Sequence, residues 1–68
     1  MLLFENVESS TIKEIAHEND ELYVRFTSGS TYRYKGVRKE LFENLKGAES
    51  KGKFFAANIK NKFECERL

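Results

Sequence analysis

Sixty-eight residues with 34% charged side chains, no proline and no tryptophan are enough for one small domain, near the size where a core alone stops sufficing. A single cysteine, Cys65, excludes an intramolecular disulfide and points to a reducing, cytoplasmic compartment. With one histidine, His17, it falls short of the four Cys/His ligands of a structural zinc site.

The opening MLLFENVESS has a short apolar run but no basic region before it and no long apolar stretch. Neither a signal peptide nor a membrane span is expected. Net charge is +1, unevenly distributed. Residues 1–29 hold two basic and six acidic side chains, a balance of −4; residues 30–62 hold nine and three, a balance of +6; residues 63–68 hold one and two, a balance of −1. The central excess suits an anionic partner. A solvated helical surface explains it equally well.

TIKEIAHE alternates loosely and is followed by Asn19-Asp20, a good hairpin pair. ELYVRFT then sets Leu22, Val24 and Phe26 on one face and Tyr23, Arg25 and Thr27 on the other. SGS turns the chain into TYRYKG. Three consecutive strands with short turns predict an antiparallel meander. The period then changes from 2 to 3.6. In VRKELFENLKGAES, Val37, Leu41, Leu45 and Ala48 share one helical arc with Phe42 at its border. Lys39–Glu43 and Glu43–Lys46 are spaced for ion pairs on the opposite side. Gly47 marks the end. Ser50 is placed to cap a second helix through KGKFFAANIK, with Phe54, Phe55 and Ile59 on its apolar arc. KFECERL alternates again and can add a fourth strand.

The hairpin between the second and third strands permits two registers. A two-residue loop puts Tyr32 and Tyr34 on the face away from Val24. A three-residue loop, Thr27-Ser28-Gly29 with a bulge glycine, pairs Tyr32 with Val24 and Tyr34 with Leu22. In the first case Thr31, Arg33 and Lys35 would enter the core, and burying two unpaired cations costs several kcal/mol each. The tyrosines therefore face the helices. With Asn19-Asp20 as a two-residue loop, Ile15 pairs with Val24 inside, while Ala16 pairs with Tyr23 and Glu14 with Arg25 outside. The outer face then carries Tyr23, Arg25, Thr31, Arg33 and Lys35. One ring among three cations resembles a surface that stacks bases and neutralises phosphates. It also fits an ordinary solvated face on which Arg25 pairs with Glu14.

The second helical stretch supplies Lys51, Lys53, Lys60 and Lys62, candidates for phosphate contacts. Gly52 near its start admits a close approach by backbone or phosphate. Asn58 interrupts the apolar arc and is expected to be a buried amide tied to a loop carbonyl. Ser9 and Ser10 can satisfy backbone groups ahead of the first strand. His17 lies at the rim of that strand. No nucleophile–base set, paired carboxylates or phosphate-binding glycine loop stands out, so catalysis is not expected.

SSTIKEIAHENDELYVRFTSGSTYRYKGV followed by LKGAESKGKFFAANIKNKF resembles the KTSC domain family, over nearly the whole chain from Val7 onward. The family occurs at the C-terminus of certain lysyl-tRNA synthetases and as small bacterial and phage proteins. Its tyrosine-x-tyrosine signature corresponds to Tyr32-Arg33-Tyr34, and SKGKFF and NIK also match. The resemblance implies an RNA-related role and brings no catalytic residues to carry over.

The sequence therefore predicts one α+β domain over residues 1–68, an antiparallel meander of three or four strands with two helices on one face. The function expected is non-catalytic RNA or nucleic-acid binding, through Tyr23, Arg25, Arg33, Lys35, Lys51, Lys53, Lys60 and Lys62. Tyr32, Tyr34 and Asn58 are structural. The alternative is a protein-interaction module, a small bacterial or phage adaptor or inhibitor. Neither reading implies a cofactor, a metal or a membrane.

Overall fold

The computed structural model describes residues 2–68. Five strands form one antiparallel sheet in sequential order: β1 (Glu5–Asn6), β2 (Ile12–Glu18), β3 (Glu21–Phe26), β4 (Thr31–Lys35) and β5 (Cys65–Arg67). Between β4 and β5 the chain forms α1 (Lys39–Gly47) and α2 (Lys51–Asn58).

The first tight turn fixes the register. Asn19 and Asp20 both take the left-handed conformation, φ 53° and 59°, as the favoured two-residue hairpin loop requires. Ile15 then pairs with Val24, Ala16 with Tyr23 and Glu14 with Arg25, as the alternation predicts. Lys13 is skipped where the register shifts between Ile12 and Glu14. At the second turn Gly29 (φ +99°) donates its N–H to Phe26 O at 2.9 Å. The three-residue loop is the one that forms, and Tyr32 pairs with Val24 and Tyr34 with Leu22.

The core lies between the inner face of the sheet and the two helices. Ile12, Ile15, Leu22, Val24 and Tyr34 come from the sheet, Val37 from the loop after β4, and Phe42, Leu45, Phe55 and Ile59 from the helical segments. Four rings run through it edge to face. Tyr32 meets Phe26 at 5.7 Å between centroids, Phe26 meets Phe55 at 5.7 Å, and Phe55 meets Tyr34 at 5.3 Å. Such pairs add about 0.5–1.5 kcal/mol each beyond area burial. Ser9 Oγ accepts the N–H groups of Thr11 and Ile12 at 3.1 and 3.2 Å, which organises the chain just before β2.

Several expectations are corrected. A two-residue strand, β1, precedes the meander, so the C-terminal strand is the fifth. Phe42 is buried while Leu41 is only partly so, because the His17 ring stacks on Phe42 at 5.1 Å. His17, half-buried near the end of β2, points to the inner face from that rim position, and its Nε2 donates to Val37 O at 2.6 Å. Lys46 pairs with Glu5 of β1 at 3.1 Å, not with Glu43. Ser50 stands at the N-cap of α2, but its side chain makes no capping hydrogen bond. Asn58 is exposed, and its amide donates to Phe54 O one turn back in its own helix at 3.1 Å, not to a loop carbonyl.

Candidate nucleic-acid interface

Strand alternation places Tyr23, Arg25, Thr31, Arg33 and Lys35 together on the outer face, as predicted. The same alternation brings carboxylates beside them. Arg25 Nη1 donates to Glu14 Oε1 at 2.5 Å. Arg33 hydrogen-bonds Glu66 of β5, and its Nε lies 4.0 Å from Glu21 Oε2. The Tyr23 hydroxyl donates to Glu21 at 3.3 Å. Hydrogen bonding of the guanidinium to the Tyr23 oxygen, then the fields of Glu66 and Glu21, hold the Arg33 pKa above its ordinary value against the opposing cost of burial.

Phe4 covers part of this face. Its ring lies 4.3 Å below the Arg25 guanidinium and 6.4 Å from Tyr23, edge to face. Ala16 is fully buried although it faces outward with Tyr23. The expected open cationic sheet is thus corrected. Its two arginines are matched by Glu14, Glu21 and Glu66, and its tyrosine is packed rather than presented. Only Lys35, exposed, has no carboxylate partner among the described residues.

The second lysine set has a different setting. Residues 51–62 contain four lysines and no aspartate or glutamate. Lys53, Lys60 and Lys62 are exposed, and their ammonium groups bond to no other described residue. Lys51 donates to Ala48 O at 3.1 Å, a carbonyl and not a carboxylate. Lys53 lies in the first turn of α2, whereas Lys60 and Lys62 follow its C-cap, Ile59.

Beneath α2 lies a feature that sequence reasoning missed. Gly52, which packs closely against the side chains of Ser9 and Thr11, and Ala56, one turn on, present small residues to the sheet. A cleft of about 450 Å³ opens there, walled by Phe26, Tyr32, Tyr34 and Phe55, with Lys60 and Cys65 also lining it. Tyr34 is 5% exposed, and neither its hydroxyl nor that of Tyr32 hydrogen-bonds to another described residue. Burial, then the neighbouring Cys65 and Tyr32, pushes the Tyr34 pKa up to about 12. The missed signal was the i,i+4 pair of small residues, legible only once a sheet stands opposite.

Among the described residues no three His, Cys, Asp or Glu side chains gather where they could hold a metal. No helix among them is long and apolar enough to cross a membrane. An antiparallel sheet backed by two helices, with charge and a cleft in place of clustered acid and base groups, defines a small α+β domain. The chain belongs to the KTSC domain family, whose pattern matches residues 8–63. The crystal structure of a KTSC domain protein from Yersinia pestis superposes with a TM-score of 0.93 at 37% identity, covering 100% of this chain and 99% of that one. A protein from Tsukamurella paurometabola is 41% identical over 64 residues, 91% of this chain and 96% of its own length. Lysine–tRNA ligases from Nostoc punctiforme and Trichormus variabilis are 41% and 43% identical over 63 residues. Those matches cover 90% of this chain but 11% of each ligase, and they indicate no catalytic family for it.

Proposed function

We propose that this chain is a non-catalytic RNA-binding module whose phosphate contacts come from the lysines of the α2 segment. One observation carries the reading: Lys51, Lys53, Lys60 and Lys62 occupy a stretch without a single carboxylate, whereas both outer-face arginines are paired. Unpaired exposed ammonium groups bind phosphate by releasing its condensed counterions, and an arginine already held by a carboxylate gains less. The match to lysine–tRNA ligases, enzymes named for a tRNA substrate, supports RNA as the polyanion. Arg25, Arg33 and Tyr23 then serve the sheet, and Lys35 stands apart from the α2 set.

Equilibrium binding of a short single-stranded RNA over a range of salt tests this. Four phosphate contacts at about −0.7 each give a slope of log affinity against log salt near −3. Absence of binding at low salt would end the reading.

A second reading is docking to a protein by strand addition. Its support is the short edge strand β5 followed by Leu68, 57% exposed. A stoichiometric protein partner that survives nuclease, together with a flat salt response to RNA, would favour it.

A further inference from the structure

The cleft under α2 has the chemistry of a ligand seat. Its volume, about 450 Å³, falls within the range of roughly 300–1,000 Å³ usual for small-molecule sites. Four aromatic rings supply the apolar wall, and Gly52 and Ala56 of α2 line the opposite side. The lining contains one cation, Lys60, and no carboxylate. Tyr34 is nearly enclosed and Tyr32 half-buried, and neither phenol has a partner among the described residues. A purely aliphatic occupant would cover these hydroxyls and the ammonium without pairing them, which is costly. A flat ring with hydrogen-bond acceptors at its edge and an attached anion would satisfy all three.

We infer that this cleft seats one nucleotide, its base against Tyr32, Tyr34 and Phe55 and its phosphate toward Lys60. The phenols donate to ring nitrogens or carbonyl oxygens of the base, and base–aromatic contact tolerates many sequences. The nucleotide is either free or one unit of a single strand. In the second form the inference rests on the RNA reading above and adds a base subsite to its phosphate contacts.

Cys65 provides the probe. It is the single cysteine, it is exposed, and it lines the cleft, so an occupant should shield it from iodoacetamide. The alkylation rate is measured with 5′-UMP, 5′-AMP, ribose 5-phosphate and a uridine hexamer, alongside direct RNA binding. A nucleotide at ten times its Kd should slow alkylation about tenfold by mass action, while ribose 5-phosphate leaves the rate unchanged. Ala56→Phe, at an exposed helical position, should fill the cleft and abolish protection while the hexamer still binds through the lysines. Lys60→Gln, which leaves the cleft walls intact, should weaken protection by the mononucleotides.

Protection by ribose 5-phosphate equal to that by UMP would overturn the inference, because the base would then contribute nothing. RNA binding without protection of Cys65 would also overturn it and leave the RNA module standing. Protection by mononucleotides without RNA binding would do the reverse, keeping the seat and removing the module.

Discussion

Replacing Tyr34 separates packing from recognition. Its ring is 5% exposed and meets Phe55 edge to face at 5.3 Å, while its hydroxyl bonds to no other described residue. Truncating a buried aromatic to alanine costs about 3–5 kcal/mol. Here the adjoining cleft lets water enter the space, so the lower end, about 3 kcal/mol, is expected for Tyr34→Ala. For a domain of this size that corresponds to a fall in Tm of roughly 12–24 °C, at about 4–8 °C per kcal/mol. Tyr34→Phe removes only the unpartnered hydroxyl and should change stability by less than about 0.5 kcal/mol. Tyr23→Ala, on the outer face, gives up an edge contact with Phe4 and a hydrogen bond to Glu21, and about 1 kcal/mol is expected. Urea unfolding followed by far-ultraviolet circular dichroism gives all three values. A Tyr34→Ala protein within about 1 kcal/mol of the parent, or Tyr23→Ala costing more than Tyr34→Ala, would refute the placement of the tyrosines.

The raised Tyr34 pKa makes alkaline pH a second probe. The folded state keeps this proton up to about pH 12, whereas the unfolded chain releases it near pH 10. Stability is therefore full below about pH 10 and falls as pH rises toward 12, since the unfolded state binds fewer protons there; Tyr34→Phe should flatten that fall in denaturant titrations at successive pH values. Gly29→Ala puts a side chain at φ +99° with no neighbour to blame and should cost about 1–2 kcal/mol. Gly47→Ala, helical and with open space around it, should stabilise by about 0.4–1 kcal/mol, and thermal melts that rank the two the other way would contradict the turn assignment. Ser9→Ala orphans the N–H groups of Thr11 and Ile12 and should cost about 1 kcal/mol in the same melts.

The sheet was readable because its rules are local. Asn19-Asp20 dictates a turn, the turn dictates a register, and the cost of burying Arg33 decides which face the tyrosines take. The Glu14–Arg25 pair follows from that register and is present. What sequence left hidden depends on apposition across the chain. Glu5–Asn6 is too short to show a period, so neither β1 nor the cover that Phe4 makes against Arg25 and Tyr23 had a pattern to read. Glu66 reaches Arg33 only because β5 returns beside β4, and this contact removes a cation from the expected basic face. Phe42 is buried more deeply than Leu41 because His17, which bonds Val37 O from a strand 20 residues away, stacks on its ring. The cleft likewise needs Gly52 and Ala56 to stand opposite two tyrosines from another element.

In the proposed reading the polyanion is held by the lysines of the α2 segment and the turn after it, not by the sheet. Salt-dependent RNA binding should be compared between a Lys53→Gln, Lys60→Gln, Lys62→Gln triple variant and Lys35→Gln on the outer face. The triple variant should flatten the slope by about 2, at about 0.7 per lost contact, with Lys35→Gln unchanged. An unaltered slope in the triple variant with a flattened one in Lys35→Gln would place the interface on the sheet and contradict the account.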